Sequence, residues 1–205
     1  MNTPDYPLVL AIEDFVPTLL AFAGFYLLGG VRQPQVGRTG AVLILAGGVA
    51  KSTWKLIVSA GGPDLPWLEG LLFPMMAAGA AMLLWALHSE RMPWWPYAGI
   101  VIAAGVAGVA LGSVEPVFLL ATLGVTAISV TGVVLALRAR AVVAAALFVV
   151  SVVAVGSLAP LRGSDHHATL LYQWIEQGTN TFAQAAFLLA AWLTVSARRR
   201  WEPAP

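Results

Sequence analysis

Cysteine is absent from the 205 residues, and charge is scarce: eleven Lys and Arg against ten Asp and Glu, 10% of the chain. The first absence excludes disulfides, thiolate metal sites, iron–sulfur clusters and a cysteine nucleophile. The second excludes an ordinary water-soluble domain, which carries roughly a quarter charged residues. A net charge of +1 offers no basic field for nucleic acid. Phosphate loops of the Walker type, G-x-G-x-x-G turns, H-E-x-x-H pairs and the G-x-S-x-G elbow are also missing. What remains is apolar: 59% of the residues are hydrophobic, with twenty Gly and thirteen Pro. Both of the latter are more frequent in transmembrane helices than in soluble ones.

A helix needs about 20 mostly apolar residues to cross ~30 Å of hydrocarbon. The sequence predicts an all-α, polytopic membrane protein, a single bundle over residues 1–205 with seven spans near 8–30, 40–60, 67–88, 95–112, 115–137, 140–158 and 168–196. Gly, Pro and charged residues punctuate every break. With the N-terminus outside and the C-terminus cytoplasmic, Arg32, Arg38, Arg91, Arg138, Arg140, Arg198, Arg199 and Arg200 face the cytoplasm, leaving Arg162 outside. That asymmetry obeys the positive-inside rule and places the chain in the cell (inner) membrane. The opening MNTPDYPLVLAIEDF carries three acids and no basic stretch, so the first span is expected to be retained rather than cleaved. Trp67, Trp94, Trp95, Trp192 and Trp201 fall at span ends as interfacial anchors. Pro17 and Pro74 should kink the first and third spans. Ala104, Gly108 and Gly112, four residues apart, predict a close helix contact along the fourth.

Charge at bilayer depth is expensive, so intramembrane polar residues carry the functional expectation. In the seventh span Gln173, Glu176, Gln177, Asn180 and Gln184 fall within roughly a 100° arc at helical spacing. That stripe should face the bundle interior. Lys51 and Lys55 stand i, i+4 in the second span beside Trp54. Lys51 is too deep to snorkel cheaply, whereas Lys55 admits either an interfacial or an interior reading. Glu13 and Asp14 open the first span, either in its interfacial first turn or in the cavity, and Glu69 reads as a surface residue. Together these residues predict an outward-facing polar cavity built from the first, second, third and seventh spans, with Lys51 as its floor and Glu176 as the favoured partner of Lys51. Asp165, His166 and His167 form a dense group in the last outer loop, where a metal, a pH-sensing role and a plain solvated loop stay open.

The seven-span, N-out plan is shared with microbial rhodopsins, but the seventh span has no Schiff-base lysine, so retinal is not implied and no other cofactor is. Pro34-Gln35 is the one Pro-Gln pair, where PQ-loop bundles carry two. The leading expectation is a transporter or channel-like protein for a small polar solute or protons. The alternatives are a seven-helix receptor or sensor, then an accessory subunit of a larger membrane complex, with an enzyme last: Ser52 beside Lys51 is a hydrolase pair only by helical spacing. The expected partners are the bilayer, a small polar ligand, and another membrane protein or a second copy, with no nucleic acid.

Overall fold

The computed structural model describes residues 7–158 and 169–200, and within them every regular element is a helix. They are α1 (Leu8–Glu13), α2 (Phe15–Gly29), α3 (Pro34–Ser59), α4 (Pro66–Gly70), α5 (Leu72–His88), α6 (Trp95–Leu111), α7 (Glu115–Arg138), α8 (Val142–Gly156) and α9 (Leu170–Arg199). Two short helices join their successors into longer rods, Leu8–Gly29 and Pro66–His88. Each junction lies three residues before a proline, at Asp14 before Pro17 and at Leu71 before Pro74. The cause is local: a prolyl ring has no N–H for the carbonyl four residues back and crowds it, so the ladder breaks there.

Five rods are long and apolar enough to cross a membrane: Leu8–Gly29, Pro34–Ser59, Pro66–His88, Glu115–Arg138 and Leu170–Arg199. The chain is therefore a helical protein of membrane type. Helices α6 and α8 are apolar but shorter, at 17 and 15 residues. At ~1.5 Å per residue they cover about 25 and 22 Å, short of the ~30 Å hydrocarbon layer. Their outer faces are nonetheless strongly apolar, with Val109 86%, Leu111 71%, Val142 68% and Val143 67% exposed. Side chains of that kind are at home against lipid rather than water.

The rods α2, α3, α5, α7, α8 and α9 pack in a closed ring, each on the next and α9 back on α2, while α6 lies outside against α5 and α7. Of the expected contact stripe Ala104, Gly108 and Gly112, Gly108 faces α7, where a Cβ would lie 3.7 Å from Val117 Cγ2, an ordinary side-chain contact rather than a backbone approach. Helix α6 buries none of its residues, and Gly112 instead ends it in the left-handed conformation (φ 59°), where the absence of a Cβ removes the strain. Close approach occurs elsewhere. A Cβ on Gly29 would lie 2.6 Å from the Gly37 carbonyl carbon, and one on Gly40 would lie 2.5 Å from the Gly79 oxygen. These two backbone contacts lock α2 to α3 and α3 to α5. They also explain why α3 begins at Pro34 rather than near residue 40: proline is pre-organised at the first helical position, and Gly37 must already be helical to seat against Gly29.

The core between the rods is apolar and tight. Phe187 packs on Phe25 at 4.7 Å and on Phe148 at 5.5 Å between ring centroids. Leu28, Leu83 and Ile128 beside them are fully buried. In lipid such packing gains little from water exclusion, so its stability comes from dispersion and close fit.

Candidate functional site

At the other end of α2 the packing turns polar. Thr18 seats against Gly48, where a Cβ would come within 2.7 Å of its methyl group, and Ser52 lies one turn further along α3 opposite Asp14. This continues the antiparallel register set by Gly29 against Gly37, about three helical turns away. The Asp14 backbone carbonyl, at the helix break, accepts from Thr18 Oγ1 at 3.0 Å and from Ser52 Oγ at 3.4 Å. The Asp14 side chain is thereby directed along α3, and its Oδ2 pairs with Lys55 Nζ at 2.6 Å. Both side chains are largely buried, at 17% and 13% exposure. Lys55 and Asp14 thus face each other between α2 and α3 rather than the outside of the bundle.

Glu13, on the other side of the break, turns to α9: Thr181 Oγ1 donates to its Oε1 at 2.5 Å. The kink at Asp14 lets two consecutive acids serve two different helices, Asp14 reaching α3 and Glu13 reaching α9. The seventh-span stripe also faces inward in part. Gln177 is 8% exposed, and Gln173, Glu176, Asn180 and Gln184 are half-buried. Gln184 Nε2 donates to Asn180 Oδ1 at 3.4 Å within the same helix. Among the described residues, Glu13 Oε2, Gln173 Oε1 and Gln177 Nε2 are buried polar atoms without a protein hydrogen-bond partner. A buried polar atom left so costs about 1–3 kcal/mol, so such a group in a folded protein points to a water or ligand beside it.

Other predicted residues are placed differently. Lys51 and Glu176 are half-buried, and each takes part in an interaction within the structure. Trp54 Nε1 donates to Asp64 Oδ1 at 2.8 Å, tying α3 to the turn that follows it rather than lining a cavity. Glu69 is exposed on α4, as its first-turn position suggested. Asp165, His166 and His167 lie outside the described residues, and within those residues no group of three His, Cys, Asp or Glu could hold a metal ion. Two residues central to the cluster, Thr181 and the clamp on the Asp14 carbonyl by Ser52, escape a reading based on charge. Thr181 sits four residues after Gln177, and that spacing is the signal that could have found it.

Among the described residues the cluster therefore includes a largely buried ion pair, a second carboxylate that accepts from a hydroxyl, and a row of amides. It can accept and donate hydrogen bonds at fixed positions away from bulk water. No protein-family model matches the chain, and comparison with curated proteins and with solved structures gave no match either.

Proposed function

We propose that the chain is a seven-span transporter for a small polar solute or protons, resident in the cell membrane with its N-terminus outside. The observation that carries this reading is the set of unpartnered buried atoms of Glu13, Gln173 and Gln177, with Glu13 bonded to α9 and next in sequence to the paired Asp14. Buried polar groups are costly in a bilayer and collect where a substrate or ion passes. The break at Asp14 adds a hinge, since discontinuous helices commonly supply the moving parts of transporters. Helices α6 and α8 complete the seven spans, and eight of the nine arginines then face the cytoplasm.

Uptake into proteoliposomes tests the reading: protons and a panel of small polar solutes are offered, and at least one is expected to move in wild type. The Asp14→Asn, Lys55→Met double variant, in which no lone charge is left, is expected to fold and to lose that uptake. Wild-type protein that moves nothing overturns transport. A C-terminal tag labelled from outside intact cells overturns the orientation.

The glycine-locked, aromatic-filled half of the bundle favours a second reading, a receptor or sensor that binds at the same cluster and keeps its inner side shut. Binding of a solute without movement across the membrane is its expected result.

A further inference from the structure

Two tryptophans on α9 give the depth of the polar cluster. Trp174 and Trp192 stand five helical turns apart and so share one face of the helix, and both are exposed, as are Phe182 and Leu189 along the stretch between them. Indole rings settle at the edges of the hydrocarbon, and the ~27 Å between these two is close to its thickness. Thr181 then lies about 10 Å below the outer edge and Gln177 about 5 Å below it. The neighbouring face of α9 meets α2: Gly24 seats against Phe187 and Leu188, and at helical spacing Gln173, Gln177 and Gln184 point between those two directions.

Towards that face Thr181 holds one oxygen of Glu13. The second, Glu13 Oε2, and the amide nitrogen of Gln177, about one turn above Thr181, are both buried, and among the described residues neither has a hydrogen-bond partner. Gln177 as a whole is only 8% exposed. An acceptor and a donor thus stand about a turn apart without bonding to each other. A group that donates at one end and accepts at the other satisfies both.

We propose that this pair binds a small neutral amide, of the urea, formamide or acetamide class, and that such an amide is the solute moved, a second step that rests on the transport reading of the same cluster. An amide carries N–H and C=O on adjacent atoms: its N–H donates to Glu13 Oε2 while its carbonyl accepts from Gln177 Nε2. It can bond to either end of a glutamine side chain, so Gln173 above and Gln184 below offer the same exchange at other levels of α9. An alkylammonium ion has donors but no acceptor for Gln177, and burying an ion costs far more than burying a neutral amide. Further in, the space is filled by Phe25, Phe148 and Phe187, where an ion is least favoured. A polyol has both functions, but each further hydroxyl needs a partner of its own. Water can serve both atoms and is what the amide displaces.

The test uses the purified full chain, in detergent for ligand-observed NMR with acetamide and in proteoliposomes for swelling under gradients of acetamide, urea, methylammonium and glycerol. Acetamide is expected to bind, and to enter at least about tenfold faster than into protein-free vesicles. Gln177→Leu removes both amide atoms and should weaken acetamide binding about tenfold or more, the scale of one hydrogen bond to a buried group left unpaired. Glu13→Gln should stay within about threefold of wild type, because a glutamine can donate to Thr181 Oγ1 and turn its carbonyl to the amide; an ammonium site would be lost. Thr131→Val removes a hydroxyl bonded to Ala127 within α7 and should bind as wild type. Melting temperatures without ligand show that each variant is folded before it is compared. Binding without entry leaves the amide site standing and overturns transport. Entry of methylammonium or glycerol but not of acetamide leaves transport standing and overturns the amide. If acetamide neither binds nor enters, water alone serves the pair and the site is overturned, as it is if Gln177→Leu binds like wild type or Glu13→Gln abolishes binding.

Discussion

The two ends of the α2–α3 seam are built by opposite means. Toward Gly29 and Gly37 the backbones touch, and the space around them is filled by Phe25, Leu28 and Phe187. Toward Asp14 and Ser52 the same register continues, but the helix breaks and the contacts become an ion pair and hydroxyl bonds. Along the contact itself, where the helices meet backbone to backbone, no volume is left between them. The difference teaches that the glycines hold the scaffold, while the polar contacts between helices collect at the kink.

Adding a side chain to the glycine seam should produce the largest effect. Gly40→Leu places a branched group against the Gly79 carbonyl, and backbone cannot rotate away as a side chain can. Overpacking a well-fitted core commonly costs about 1–3 kcal/mol, and more where the obstacle is main chain. Gly40→Leu is therefore expected to yield little folded protein by size exclusion in detergent. A folded, monodisperse variant would show that α3 and α5 are not held by this contact.

Charge removal at the other end comes next. Lys55→Met leaves the Asp14 carboxylate buried without its cation, a change that typically costs about 3–5 kcal/mol, while removing both charges is often nearly neutral. Lys55→Met alone should melt well below wild type, and the Asp14→Asn, Lys55→Met double variant close to it. Strict additivity would mean that the pair does not act as a pair. The same cycle on Lys51→Met and Glu176→Gln tests the partnership that depth and facing suggest for those two.

These outcomes bear on what was legible in the sequence. The seven apolar stretches, the prolines that interrupt two of them and the inward tilt of the Gln177 stripe all follow from one-dimensional periodicity, because a helix converts spacing into facing without outside help. Which glycine meets which helix does not. Ala104, Gly108 and Gly112 have the spacing of a contact face, yet α6 lies outside the ring, while Gly29 and Gly37, which read as loop punctuation, meet backbone to backbone. Partner choice among charges is likewise tertiary. Asp14 reaches Lys55 because the Pro17 break and the Thr18–Gly48 seat set its direction, and none of that is encoded in the spacing of Lys51 and Lys55.

A smaller effect is expected at Thr181. Thr181→Val keeps the shape of the side chain and removes the one hydroxyl bonded to Glu13, leaving a second buried carboxylate oxygen without a protein donor. The expected loss is about 1–3 kcal/mol, with Thr181→Ser restoring it. If Thr181→Val melts as wild type, water already serves Glu13, and the cluster is wetter than its burial implies.

The smallest effect belongs to α6, and it sharpens the comparison most directly because the residue type is held constant. Gly105 sits mid-helix with nothing within 4 Å of a Cβ placed on it, in a helix that buries no residue. Gly105→Leu therefore meets no obstacle, gains helix propensity worth up to about 1 kcal/mol, and adds apolar surface on a face already suited to lipid. Its melting temperature should match or slightly exceed that of wild type, against the collapse expected for Gly40→Leu. A strongly destabilised Gly105→Leu would mean that this face is covered in the membrane by another helix. The natural candidate is then a second copy of the chain or a partner subunit, and cross-linking from a cysteine introduced at Val109 would identify which.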